Sequence, residues 1–214
     1  MGRNARLALG RLLLGTILAG PPLVQAANAH PHVFARIKVG IIVTDGAITG
    51  IRHTWTFDEM FSTFSISGLG DGKGAPTREQ LAPLARRYVE SLKSYGYFTR
   101  ATIDGRDTPL ADPSSYALDM RDEALELQFT LPVIEPAPAE TVTLSIYDPS
   151  YYVALSPADS DAAGLEGAAP NCRLSVKNTE QPKAVDESFF RSLSANEDWA
   201  AQFATIIAMQ CAKP

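Results

Sequence analysis

The sequence predicts an α+β protein: an antiparallel β-sheet or sandwich domain with a helical insertion after its first hairpin and helices at its C-terminus. Three observations carry this expectation. Short β-branched and apolar runs recur between turn residues along most of the chain, positions 77–96 switch to helical spacing, and positions 186–210 do so again. There is no internal repeat and no βαβ alternation. That absence removes the two-lobed parallel α/β architecture, which also needs a longer chain.

The first 29 residues stand apart from the fold. Met1 to Arg11 is basic, Leu12 to Ala19 is a short apolar core, and Gly20-Pro21-Pro22 stops any helix before a stretch of small residues. This is the pattern of a secretory signal peptide, with cleavage expected after Ala26 or after Ala29. The apolar core is shorter than the roughly 20 residues that a membrane span requires, and no later window supplies one. Residues 30–214 are therefore expected to form one exported, soluble periplasmic domain, with no membrane span after signal cleavage.

The mature domain opens with Val33 to Val43, rich in Val and Ile, then Thr44-Asp45-Gly46-Ala47, then Ile48 to Phe57. Asp-Gly between two such runs is a hairpin signal. Asp58 to Ser67 reads as a short helix, followed by a glycine-rich loop from Gly68 to Pro76. Thr77 with Gln80 three residues on is a capping box, and Leu81, Leu84, Ala85, Tyr88, Val89 and Leu92 repeat at helical spacing up to Gly96. Short strands follow at Tyr97–Ile103, Tyr116–Met120, Ala124–Pro132 and Thr141–Tyr147. Two more are expected at Tyr151–Leu155 and Cys172–Val176, around a small, acidic loop from Pro157 to Pro170. The last segments, Asp186–Leu193 and Asp198–Gln210, read as helices with an apolar face.

Composition narrows the partners. The chain of 214 residues holds 19 Lys and Arg against 24 Asp and Glu, a net charge of −5. Residues 1–29 hold Arg3, Arg6 and Arg11 and no acid, so the mature domain carries 16 basic against 24 acidic residues, or −8. An acidic domain without a basic cluster excludes nucleic acid as a partner, because phosphate binding rests on Lys and Arg. No G-x-S-x-G, P-loop, H-E-x-x-H or C-x-x-C pattern occurs, so hydrolase, nucleotide and zinc-protease chemistry lack support. The two cysteines, Cys172 and Cys211, are expected to pair, since an exported chain meets an oxidising compartment.

All three histidines fall at His30, His32 and His53. Imidazole clustered near a free N-terminus points to a transition-metal site, with His30 and His32 as first candidates, Asp58 or Glu59 as helpers, and His53 as a further ligand. The N-terminus matters to this chemistry. A square-planar X-X-His site on His30-Pro31-His32 is blocked, because Pro31 has no amide proton to lose. Cleavage after Ala27 would instead present a competent Asn28-Ala29-His30. Cleavage after Ala29 would let the His30 amine and imidazole act as a copper brace. If the hairpin register runs unbroken from its turn, His53 faces Lys38 and His32 faces Glu59. His32 and His53 then share a sheet face about 20 Å apart, at ~3.3 Å per residue. The alternative for His53 is a sheet position hydrogen-bonded beside Trp55.

The Gly70-Asp71-Gly72-Lys73 loop keeps too few acids for a calcium site, since Ser67 and Leu69 stand where the first two ligands belong. The Tyr147-Asp148-Pro149-Ser150-Tyr151-Tyr152 turn presents three tyrosines that are candidates for a binding role, with Trp55, Tyr147 and Tyr151 foremost.

His30-Pro31-His32-Val33 after a signal peptide, Trp55-Thr56-Phe57-Asp58-Glu59, Leu81-Ala82-Pro83-Leu84 leading to Tyr95-Gly96-Tyr97-Phe98, the Tyr147–Tyr151 turn, Cys172 and Ser188-Phe189-Phe190 together mark a likeness. Over essentially the whole mature chain, the sequence resembles a bacterial domain-of-unknown-function family commonly labelled the periplasmic component of an uncharacterised ABC-type transport system. Members accompany nickel/cobalt-type permeases, so the resemblance implies divalent-metal handling beside a membrane permease. Many members also carry a fuller acidic loop where this chain has Gly68 to Pro76, a departure that weighs against calcium here.

Three expectations follow. The first is a periplasmic accessory or binding protein of a transport system that handles nickel/cobalt, zinc or copper. The second is a copper redox enzyme using the His30 brace, and the third is a metal-free interaction domain. The binding protein is favoured over the enzyme.

Overall fold

The computed structural model describes residues 29–69, 74–159, 161–182, 184–192 and 198–212. Residues 1–28 of the expected signal segment and the Gly70–Lys73 loop lie outside these residues. After a two-residue strand β1 (Ala29–His30), the chain forms the hairpin of β2 (Val33–Thr44) and β3 (Ala47–Phe57). Asp45 and Gly46 at its tip both have positive φ, 51° and 78°, the backbone of a tight hairpin turn that glycine accepts without strain. Beyond the turn the register is not continuous. Val43 pairs with Ile48 but Ile42 pairs with Gly50, leaving Thr49 as an extra residue. This bulge corrects the expected pairing: His53 lies opposite Val39, not Lys38. A shift of one residue carries a side chain to the other face of a sheet. His53 is accordingly buried in the core while His32 is exposed.

Helix α1 (Glu59–Ile66) begins where β3 ends, with Asp58 as its cap, and α2 (Arg78–Lys93) follows with the capping box of Thr77 and Gln80 formed. Leu81, Ala85, Val89 and Leu92 are the buried stripe of α2 and pack into the main core. After a 3-10 turn at Gly96–Phe98 come β4 (Thr99–Ile103), β5 (Arg106–Thr108), β6 (Ser115–Arg121), β7 (Ala124–Ala137) and β8 (Thr141–Ile146). The remaining elements are β9 (Val153–Pro157), β10 (Ala163–Glu166), β11 (Cys172–Lys177), β12 (Val185–Asp186), a short α3 (Glu187–Ser192) and β13 (Thr205–Cys211).

The protein is mostly β-sheet. One large sheet runs β10-β2-β3-β7-β6, with β9 also on β2, and a second runs β11-β13-β8-β4-β5. Apolar residues of both, such as Ile37, Trp55, Leu127, Leu144 and Ile207, share one core. Alternation in β7, where Leu125, Leu127, Phe129, Leu131 and Val133 are buried, is the period-2 pattern of a half-buried strand.

Two expectations need correction. The sheet is mixed rather than antiparallel, because β9 and β10 run parallel to β2 along one edge, at Val33–Ile37 and Val39–Ile42. The acidic loop expected between Pro157 and Pro170 supplies β10, tied across the sheet by ion pairs of Arg36 with Asp159, Lys38 with Asp161, and Arg52 with Glu166. Glu166 lies over Gly40, where a Cβ would come within 2.2 Å of its carboxylate.

The second correction is at the C-terminus. The segment expected to be helical at Asp198–Gln210 is a 3-10 turn, Trp199–Phe203, followed by strand β13. The β-branched run Thr205-Ile206-Ile207 favours the strand, and burial alternates along it at Thr205, Ile207 and Met209. Pairing with β8 and β11 then outweighs helical spacing. Cys172 and Cys211 stand directly opposite each other in β11 and β13 and are joined by the expected disulfide.

Candidate functional site

His30 ends β1, which pairs with β12 so that His30 faces Val185. His32 immediately precedes β2, and its backbone N–H donates to the Tyr152 carbonyl at 2.9 Å. These anchors bring three rings together. The His30 and His32 imidazoles lie edge to face with centroids 4.8 Å apart, and Tyr152 is 4.9 Å from His32 and 6.2 Å from His30. His32 is exposed and His30 half-buried, so the pair sits at the surface. Imidazole carries a nitrogen donor suited to nickel, cobalt, copper or zinc rather than calcium.

Asp58 is committed to the fold. One carboxylate oxygen accepts from Phe61 N at 2.8 Å, capping α1, and the other accepts from Phe34 N at 2.8 Å, extending the β2–β3 ladder. Glu59 is exposed in the first turn of α1, where its charge complements the helix dipole. Among the described residues, no group of three or more His, Cys, Asp or Glu is placed to hold a metal ion.

His53 is fully buried, stacked on Phe129 at 4.7 Å. Trp55 Nε1 donates to its Nδ1 at 3.4 Å, which assigns the ring proton to Nε2 and makes that nitrogen the donor to Thr99 Oγ1 at 3.3 Å. The Thr99 hydroxyl in turn donates to the Tyr97 carbonyl at 2.9 Å. Both imidazole nitrogens are therefore engaged inside the core, and burial pushes the His53 pKa down to about 3. The structure does not bring His53 to the His30–His32 pair. The reading of His53 as hydrogen-bonded beside Trp55 matches its placement.

The other sequence candidates also face inward. Trp55 is 1% exposed and stacks on Phe98. Tyr147 and Tyr151 are buried in a second cluster with Ala200 and Ala204. The Tyr147 hydroxyl donates to Asp198, which also pairs with Arg100 at 3.0 Å, while the Arg100 guanidinium lies 4.9 Å over the Tyr147 ring. Tyr151 donates to the Pro182 carbonyl at 2.9 Å. Burial raises both phenols to about 12, helped for Tyr147 by the Asp198 carboxylate. These tyrosines fasten the C-terminal segment to the β8–β9 turn.

Sequence reasoning missed the cavity that Tyr152 borders. A space of about 290 Å³ opens between α2 and the β8–β9 turn, floored by Trp55, Phe57 and Leu127 and flanked by Tyr95, Asp148 and Tyr152. The only available signal was the density of aromatic residues in Tyr95–Phe98 and Tyr147–Tyr152, and spacing alone does not separate rings facing a cavity from rings in a core.

Comparison with known proteins gives a family but no solved relative. The family described as "Protein of unknown function (DUF1007)" matches residues 14–211. An uncharacterized protein of Haemophilus influenzae is 29% identical over 209 residues, covering 94% of this chain and 97% of that protein. No solved structure matches.

Proposed function

This chain belongs to the DUF1007 family of proteins of unknown function, and we propose that it is an exported binding protein that holds a divalent transition-metal ion at His30 and His32 for a membrane transport component. The observation that carries this reading is the 4.8 Å separation of the two imidazole centroids at the surface. With metal–nitrogen bonds of about 2.0–2.1 Å, and a ring centroid about 1.1 Å behind the nitrogen, two adjacent ligands on one ion place their centroids about 4.5–5 Å apart. The pair thus has the spacing of two cis ligands.

Two imidazoles leave coordination positions for water or for ligands from a partner. An ion held this way exchanges readily, which suits transfer to a permease better than storage. The Cys172–Cys211 disulfide and the absence, among the described residues, of a helix long and apolar enough to cross a membrane are compatible with an exported protein. The periplasm is the compartment this reading assigns, and nickel/cobalt, zinc or copper the cargo.

The same spacing supports a second reading. If the mature chain starts at His30, its amine joins the two imidazoles and completes a copper brace.

Intact mass of the exported protein fixes the N-terminus and separates the two. A chelator-competition titration with Ni(II), Cu(II) and Zn(II), beside a His30→Ala, His32→Ala double variant, tests the site itself. The double variant is expected to lose well over tenfold in affinity, outer-shell partners alone being worth about 10–100-fold. Equal affinity in both proteins would remove the site.

A further inference from the structure

We propose that the cavity beside Tyr152 binds a small organic cation, with its ammonium group held between Asp148 and a wall of aromatic rings. This goes beyond the metal reading: neither histidine of that site lines the cavity, and Tyr152 is the ring that touches both places. The cavity, about 290 Å³, lies near the lower end of the range for small-molecule sites, about 300–1,000 Å³. Half of its fourteen lining residues are aromatic, and none is Lys, Arg or His. Phe57, Phe61 and Tyr88 form one ring cluster on its helical side, with centroids 4.8 to 6.1 Å apart. Tyr95, half exposed, and Tyr152 stand at its rim.

Asp148 supplies the charge. It is only 2% exposed, yet among the described residues no Lys, Arg or His is paired with its carboxylate. One oxygen accepts from Ser150 N at 2.8 Å and Ser150 Oγ at 2.7 Å, and the other accepts from Val153 N at 2.9 Å. A carboxylate offers about four lone-pair positions, so these three bonds orient the group and leave one acceptor position. A buried carboxylate without a counter-ion favours a cation nearby. The negative faces of aromatic rings favour the same charge, and a weakly hydrated ammonium more than a small metal ion that would need oxygen or nitrogen ligands all round. An anion meets the carboxylate, and a neutral apolar guest makes no use of it.

Isothermal titration of the exported protein with choline, and with its uncharged carbon isostere 3,3-dimethylbutan-1-ol, tests the assignment. The expected result is choline binding at least tenfold tighter than the alcohol, weakened severalfold by Tyr95→Ala and tenfold or more by Asp148→Asn, and unchanged by His30→Ala, His32→Ala. Tyr95→Ala keeps the test valid should Asp148→Asn fail to fold, since Tyr95 is a rim residue. Equal or tighter binding of the alcohol would reduce the cavity to a plain apolar site and overturn the proposal. So would failure of choline to bind, or choline affinity unmoved by Tyr95→Ala. Metal affinity unmoved by His30→Ala, His32→Ala, with choline binding as expected, would sink the metal reading alone.

Discussion

His53 stands opposite Val39 in the β2–β3 ladder, one position from the Lys38 that an unbroken hairpin register would give it, and the bulge at Thr49 makes the difference. That single residue turns the imidazole from the solvent face into the core.

An acid-sensitive stability follows from its burial. His53 has a folded pKa of about 3 against an ordinary value of 6.5. Between those values the unfolded chain takes up a proton that the folded protein refuses, so this contribution is complete above about pH 6.5 and is lost as pH falls toward 3. From pH 7 to pH 4 the loss is on the order of 3 kcal/mol. Denaturant unfolding at both pH values should show a smaller drop in His53→Phe than in the native protein, although the variant starts less stable because Trp55 and Thr99 lose a partner. Equal drops would mean that His53 titrates normally.

The Cys172–Cys211 bridge closes a loop with a sequence separation of 39. Chain entropy assigns such a loop about 4 kcal/mol, which in a domain of this size corresponds to about 8–16 °C in melting temperature. Thermal melts of the native protein and of Cys172→Ser, Cys211→Ser check this, and a difference under about 3 °C would mean that strand pairing alone sets the register.

Asp58 should matter to folding and not to metal. Asp58→Ala removes the α1 cap and leaves Phe34 N–H without its acceptor, at a cost of about 2–3 kcal/mol. Asp58→Asn keeps one acceptor oxygen, enough for the Phe61 or the Phe34 N–H but not both, and should leave metal affinity within about twofold, since independent sites add. A larger loss of affinity in Asp58→Asn would restore this residue as a ligand.

Tyr147 should ionise late for two separable reasons. Burial is the larger, and the Asp198 carboxylate adds to it. In a spectrophotometric titration, Asp198→Asn should bring the Tyr147 transition down from about 12 while leaving it above the ordinary phenol value of 10. An unmoved transition would mean that burial acts alone.

Much of this fold was legible in the sequence because local chemistry agreed with it. Asp45-Gly46 could only be a tight turn, Thr77 with Gln80 did form the capping box, and the alternation from Leu125 to Leu131 did mark a half-buried strand. What escaped reading depended on partners distant in sequence. Thr205 to Cys211 has a spacing compatible with a helix until β8 and β11 are there to pair with it. The parallel β10 hides in an Ala- and Gly-rich acidic loop whose strand character comes from backbone pairing with β2. The His30–His32 pair was legible as a candidate site, but the placement of His53 was not, because Thr49 is an ordinary strand residue and nothing about it announces a bulge. The contact of Tyr152 with His32 was hidden for a similar reason: it forms only once β9 has paired with β2.

The central claim, a metal ion shared by His30 and His32, is tested most directly by following histidine side-chain nitrogen resonances during a Zn(II) titration. With three histidines in the chain, each can be assigned. The account predicts that the His30 and His32 imidazoles shift together and saturate at one ion per protein, while the buried His53 stays fixed. Resonances of His30 and His32 that do not move, or that respond independently at different zinc concentrations, would contradict it.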